Sequence, residues 1–263
     1  MRKILSRNSS GLRMLLTVGS FIWCVTANAQ SNGGVGVGVS ATASEGAHAT
    51  SLGTVEAKSR ASNAAWLKRH QAIVAKAASQ SPEVMLLGDS ITQGWELNHK
   101  IWAQKIKSNR VLNAGIASDK VEHILWRVQI GLFTTARPKI VVLMAGINNL
   151  AISTPEQITG GLAQIIDEIH GASPATHVLL MGILPSGEEA QNPRRGKIRA
   201  INSMIAGMAA QHEVQYLDAG SLFLAPDGSL TKAVSFDGVH LTREGYTIWA
   251  TALRQPLKKI SRG

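Results

Sequence analysis

Five short apolar runs, each separated from the next by a stretch of helical spacing, constrain this chain more than any other feature in its 263 residues. They are Val84 to Leu87, Val111 and Leu112, Ile140 to Ala145, His177 to Ile183, and Val214 to Leu217. A run that is apolar without alternation fits a strand buried on both faces. Helical candidates lie near 62–79, 99–107, 120–131, 155–171, 195–211 and 243–256. One has a clear start: Thr154-Pro155-Glu156 supplies a cap, a proline in the first turn and an early acid. Strands alternating with helices predict an α/β domain over 61–260, a parallel sheet covered on both sides. In such a sheet the ligand lies beyond the carboxyl ends of the strands. The loops at 88–95, 113–119 and 146–150 should therefore open on one edge. They carry "GDSITQ", "NAGIASD" and "GINN".

The chain before this domain reads differently. Arg2, Lys3, Arg7 and Arg13 precede a largely apolar Met14 to Val25, and Ala27-Asn28-Ala29 follows with small residues at the positions a signal peptidase reads. The apolar run is about a dozen residues, short of the roughly 20 that span a bilayer. The pattern predicts a signal peptide over 1–29 and an exported protein, periplasmic or secreted, with no stable membrane span. Residues 30–60 are rich in Gly, Ser, Ala and Thr without a sustained period, which predicts a flexible tether. The only cysteine, Cys24, falls within the signal, so a mature chain would have no thiol nucleophile and no disulfide. The net charge of +10 is read as a solvated basic surface, because no basic block interleaved with aromatics and no nucleic-acid motif is present.

Hydrolysis by a nucleophile needs a hydroxyl, a base, a group that orients the base, and donors for the developing oxyanion. Ser90 follows the first core strand and is the candidate nucleophile; a helix cap is the other reading of a serine there. In "SFDGVHLTREGY", Asp237 and His240 stand three apart around Gly238, so a turn can bring the carboxylate to the imidazole. They would serve as orienting acid and general base, or be a turn former and a surface histidine. Asn148, past the strongest strand, can donate without carrying charge, or be an ordinary turn residue. Asp89 is assigned a supporting role, holding its loop or pairing with Arg127, and Gly115 is assigned to its turn. Trp95, Trp102 and Trp126 are read as packing. His70, His99 and His123 have no spacing that suggests a metal, and no cofactor is expected.

"GDS" at Ser90, the "NxGxxxD" loop, "GxNN" at Asn148 and "DxxH" at Asp237 and His240 together resemble the ordered blocks of the SGNH, or GDSL, hydrolase superfamily. "HILWR" at 123–127 and "GINNL" resemble its branch of platelet-activating factor acetylhydrolase catalytic subunits. The resemblance covers about 62–256. It implies a three-layer α/β/α sandwich on a flavodoxin-like five-stranded parallel sheet, and metal-free ester hydrolysis by Ser90, His240 and Asp237. It also implies oxyanion donors at Ser90 N–H, at a backbone N–H of the second block assigned to Ser118, and at the Asn148 amide. Ser118 departs from the glycine usual before the aspartate of that block. The chain is thus read as an esterase for short acyl groups, chiefly acetyl, on a small-molecule or polysaccharide ester. O-acetylated carbohydrate is favoured over acyl lipid, and a non-catalytic binding module is the rival class. The elbow Gly-x-Ser-x-Gly of α/β-hydrolases is absent. Oligomeric state is not legible in the sequence.

Overall fold

The computed structural model describes residues 52–106, 110–134 and 136–261; the expected signal over 1–29 and most of the expected tether lie outside the described residues. In chain order the elements are α1 (Ala64–Gln80), β1 (Val84–Gly88), α2 (Ser90–Gln93), α3 (His99–Lys105), β2 (Val111–Gly115), α4 (Val121–Arg127), β3 (Ile140–Met144), α5 (Pro155–Ala172), β4 (His177–Met181), α6 (Pro193–Gln211), β5 (Gln215–Leu217) and α7 (Arg243–Ile260). The strands form one sheet in the order β2-β1-β3-β4-β5, and every pairing is parallel.

Successive strand residues point to opposite faces, so an uninterrupted apolar run feeds two cores at once. Met85 and Leu87, Val141 and Leu143, and Val178 and Leu180 face a layer built by α1, α4, α5 and α6. Their neighbours Val84 and Leu86, Val142 and Met144, and Leu179 and Met181 face α3 and α7. The result is the three-layer α/β/α sandwich. Thr154 caps α5 as its sequence promised: its hydroxyl accepts from Gln157 N while Gln157 Oε1 accepts from Thr154 N.

The domain's own contacts begin before residue 61. Residues 52–60 run along α5 and α4, with Gly53 N donating to Glu156 O (3.1 Å), Lys58 N to Glu122 O (3.0 Å) and Val55 N to Gln164 Oε1 (2.8 Å). Gly160 of α5 makes room for this arm, since a Cβ there would run into the backbone of Gly53. Only three arm residues, Leu52, Val55 and Ala57, pack apolar surface on the core. Attachment through backbone groups leaves no periodic pattern, which is why the composition reads as tether.

Candidate active site

The carboxyl end of β1 stops at Gly88, and Asp89 turns the chain into α2 by accepting from Ile91 N (2.9 Å). Ser90 is the first residue of that short helix. A helix of four residues cannot hold itself in water, and other elements fix it. Tyr246 of α7 donates its hydroxyl to Ile91 O (2.6 Å), and Asn113 Nδ2 donates to Thr92 O and Gln93 O (both 3.0 Å). Gly115 lets β2 come against it: a Cβ there would lie 2.7 Å from Thr92 C and 2.9 Å from Asp89 O. Gly115 therefore serves a close approach of two backbones rather than the turn to which its sequence context assigned it.

His240 arrives from the far end of the chain. Ser235 and Leu241 bridge across the loop between them, and the Asp237 carboxylate closes its tip by accepting from Val239 N (2.9 Å) and His240 N (2.7 Å). Gly238 takes φ 77° at the tip and its carbonyl accepts from Gly187 N at 2.8 Å. The second Asp237 oxygen lies 2.7 Å from His240 Nδ1, and His240 Nε2 lies 2.9 Å from Ser90 Oγ. A carboxylate can only accept, so Nδ1 carries the proton and Nε2 is left to accept from the serine hydroxyl. Burial raises the affinity of Asp237 for a proton, but the bonds from His240 and Val239 outweigh it and hold the carboxyl below its ordinary value. The structure thus brings Ser90, His240 and Asp237 into one hydrogen-bonded line.

Asn148 stands on the loop after β3, where its Nδ2 donates to Asp119 O (2.9 Å), leaving one amide N–H uncommitted by that bond. Ser118 is exposed and has φ 61°, in the left-handed region that a glycine enters freely and a serine enters at a cost of roughly 1 kcal/mol. The glycine usual at this position has its reason in that backbone. Asp89 does not pair with Arg127. Its carboxyl is buried, and burial pushes it up to about 7, with Asp119 reinforcing the shift and the Ile91 N–H opposing it.

Arg127 is instead matched by Asp119, which sequence reasoning left without a role. Asp119 has no solvent exposure and accepts from Trp66 Nε1 (2.6 Å) and Arg127 Nη1 (2.8 Å), with Arg60 Nη1 at 3.4 Å. Asn149, also unassigned, accepts from Val121 N (3.0 Å) and donates to Glu122 Oε2 (2.8 Å), tying the Asn148 loop to α4. The one available signal was the acid closing "NxGxxxD" eight residues before Arg127. Among the described residues no three His, Cys, Asp or Glu side chains gather as a metal site, and no helix is long and apolar enough to cross a membrane. A cleft of about 450 Å³ opens beside Asn148 and Val239. A larger groove of about 530 Å³ lies between α1 and α3, lined by none of Ser90, Asp237 or His240.

Residues 86–248 match the profile of the GDSL-like lipase/acylhydrolase family. The chain belongs to this family. Among curated relatives, the platelet-activating factor acetylhydrolase IB subunit alpha1 of Rattus norvegicus is 36% identical over 198 residues, 74% of this chain and 83% of its own. The alpha2 subunit of Bos taurus is 32% identical over 182 residues, 69% of this chain and 78% of its own. Among solved structures, a GDSL-like lipase from Bacteroides thetaiotaomicron superposes with TM-score 0.59 at 23% identity, covering 72% of this chain and 97% of its own. An acetylxylan esterase from Geobacillus stearothermophilus gives 0.55 at 20%, covering 67% and 93%. These two likenesses confirm the GDSL hydrolase fold, and the family makes the protein an ester-hydrolysing enzyme.

The relatives also correct the expectation of export to the periplasm or beyond. They are platelet-activating factor acetylhydrolase IB subunits, which are not exported proteins. The expectation rested on residues 1–29 alone, which lie outside the family match at 86–248 and outside the described residues.

Proposed function

We propose that this GDSL-family esterase hydrolyses short-chain, chiefly acetyl, esters through Ser90, His240 and Asp237. The observation that carries this reading is the continuous line of hydrogen bonds from Asp237 Oδ2 through the imidazole to Ser90 Oγ. In the proposed mechanism Ser90 Oγ bonds to the acyl carbon as its proton passes to His240 Nε2. The carbonyl oxygen becomes an oxyanion, for which the assigned donors are Ser90 N–H, Ser118 N–H and the uncommitted N–H of Asn148. When the tetrahedral intermediate collapses, the bond to the alcohol oxygen breaks and His240 returns the proton to it. Water then attacks the acyl-enzyme by the same route and releases the acid. Asp237 stabilises the imidazolium formed in each half-reaction and keeps Nδ1 protonated between them.

An acetyl group is supported by the names of the relatives and by the acetylxylan esterase among the fold neighbours. The alcohol is a separate question. With export withdrawn, O-acetylated carbohydrate loses one of its arguments, and the name of the relatives favours platelet-activating factor. The test is hydrolysis of para-nitrophenyl acetate, butyrate and a long-chain ester by the protein and by Ser90→Ala, followed by platelet-activating factor beside acetylated xylo-oligosaccharide. Acetate preferred, with activity lost in the variant, is the expected result. Equal rates from the variant, or a preference for long chains, would end the reading.

A further inference from the structure

We propose that the cleft beside Asn148 and Val239 receives an anionic group, a carboxylate or phosphate, carried on the alcohol portion of the ester, and that Arg194 selects it. The inference rests on the serine-esterase reading above, which places a short acyl group on Ser90. An acetyl group has no atom to bear a charge, so an anion in this cleft must belong to the alcohol. The location agrees: Val239 adjoins His240, the group that must hand a proton to the departing alcohol, and Asn148 stands on the facing loop.

The chemistry of the walls is one-sided. Ile147, Leu150 and Val239 give the cleft apolar surface, Arg194 and Lys197 give it positive charge, and no carboxylate lines it. Lys197 Nζ is held by the carbonyls of Leu150 and Ser153, neutral acceptors that leave its charge uncompensated. Arg194 is exposed, and among the described residues its guanidinium meets only Ser186 Oγ, at 3.4 Å. The nearby Glu188 is paired with Lys232 and does not neutralise either cation. Both cations stand in the first two turns of α6, a helix of 19 residues whose first turn has no acid, so its positive end adds to the same field. A neutral ligand gains nothing from two cations at the rim of an apolar cleft. An anion gains from both, and Arg194 can present two N–H groups to it at once.

The test compares kcat/KM for 4-acetoxybenzoate and 4-acetoxyphenyl phosphate with that for neutral methyl 4-acetoxybenzoate, in the protein and in Arg194→Gln. Dividing each anionic-to-neutral ratio by the same ratio in the variant removes differences in intrinsic reactivity. That quotient should be about two- to fivefold at low ionic strength, as expected for a partly exposed charge pair, and should shrink in high salt. The larger quotient of the two identifies carboxylate or phosphate as the preferred anion. A quotient near one for both esters would overturn the proposal. A second arm does not depend on turnover: calorimetric titration of Ser90→Ala with 4-hydroxybenzoate and phenyl phosphate, repeated with Arg194→Gln added. Binding weakened by the added substitution supports the site, and equal or absent binding overturns it. Failure to hydrolyse any of the esters would count against the serine-esterase reading alone, leaving this arm to decide the cleft.

Discussion

A carboxylate without solvent exposure has to be matched by donors, and Asp119 is matched by the Trp66 indole and the Arg127 guanidinium while its own carbonyl receives the Asn148 amide. It thereby joins the packing of α1 and α4 to the proposed oxyanion donor. Asp119→Ala would strand the fully buried Arg127 without a counter-charge, at a cost of about 3–5 kcal/mol. Urea unfolding should show the loss, and Asp119→Asn, which can still accept from one donor, should lose less. Taken singly, Ser90, Asp237 and His240 read equally well as a cap, a turn former and a surface histidine, and only the ordered set of blocks resembling the family marked them together. Asp119 was not legible: an acid after a glycine-bearing loop looks solvated, and its indole partner lies 53 residues away in sequence. Asp89 was half legible, since its neighbourhood was right and its supposed pairing with Arg127 was not.

The sheet strands announce themselves as unbroken apolar runs buried on both faces and the long helices by one repeating apolar face, and their observed ends fall within a few residues of the pattern. The helix α2 is too short to have a face, and the arm over 52–60 is attached through its backbone; both are therefore silent in the pattern of side chains. The arm gives a test internal to one helix. Gly160 and Gly171 both belong to α5, but a Cβ on Gly160 meets the Gly53 backbone whereas one on Gly171 meets nothing within 4 Å. Gly171→Ala should stabilise the protein by about 0.5–1 kcal/mol through helix propensity alone. Gly160→Ala should instead destabilise it by about 1–3 kcal/mol, with faster amide exchange at Gly53 and Val55. Equal effects of the two substitutions would mean that the arm contributes no binding to the domain.

For the whole molecule, pH bears on stability through a histidine remote from the reacting atoms. His70 is buried between Trp66 and Trp126, 5.7 Å from each ring, and burial, aided by Arg127, lowers its pKa from 6.5 to about 4. The folded protein then keeps it neutral while the unfolded chain takes up a proton. This contribution is flat above pH 6.5, is lost as pH falls from 6.5 to about 4, and amounts to roughly 3 kcal/mol at the end of that window. Urea midpoints between pH 7 and 4 should fall more steeply for the protein than for His70→Phe. The same long reach has a consequence for the order in which the chain matures. The contacts that seat Ser90 and Ile91 span 150 and 155 residues, to His240 and to Tyr246. A ribosome delivers the serine 150 residues before its base, and loops of that length close late. Turnover should thus be the last property a refolding molecule regains, after sheet and helices have formed, so that the onset of esterase activity times the docking of α7.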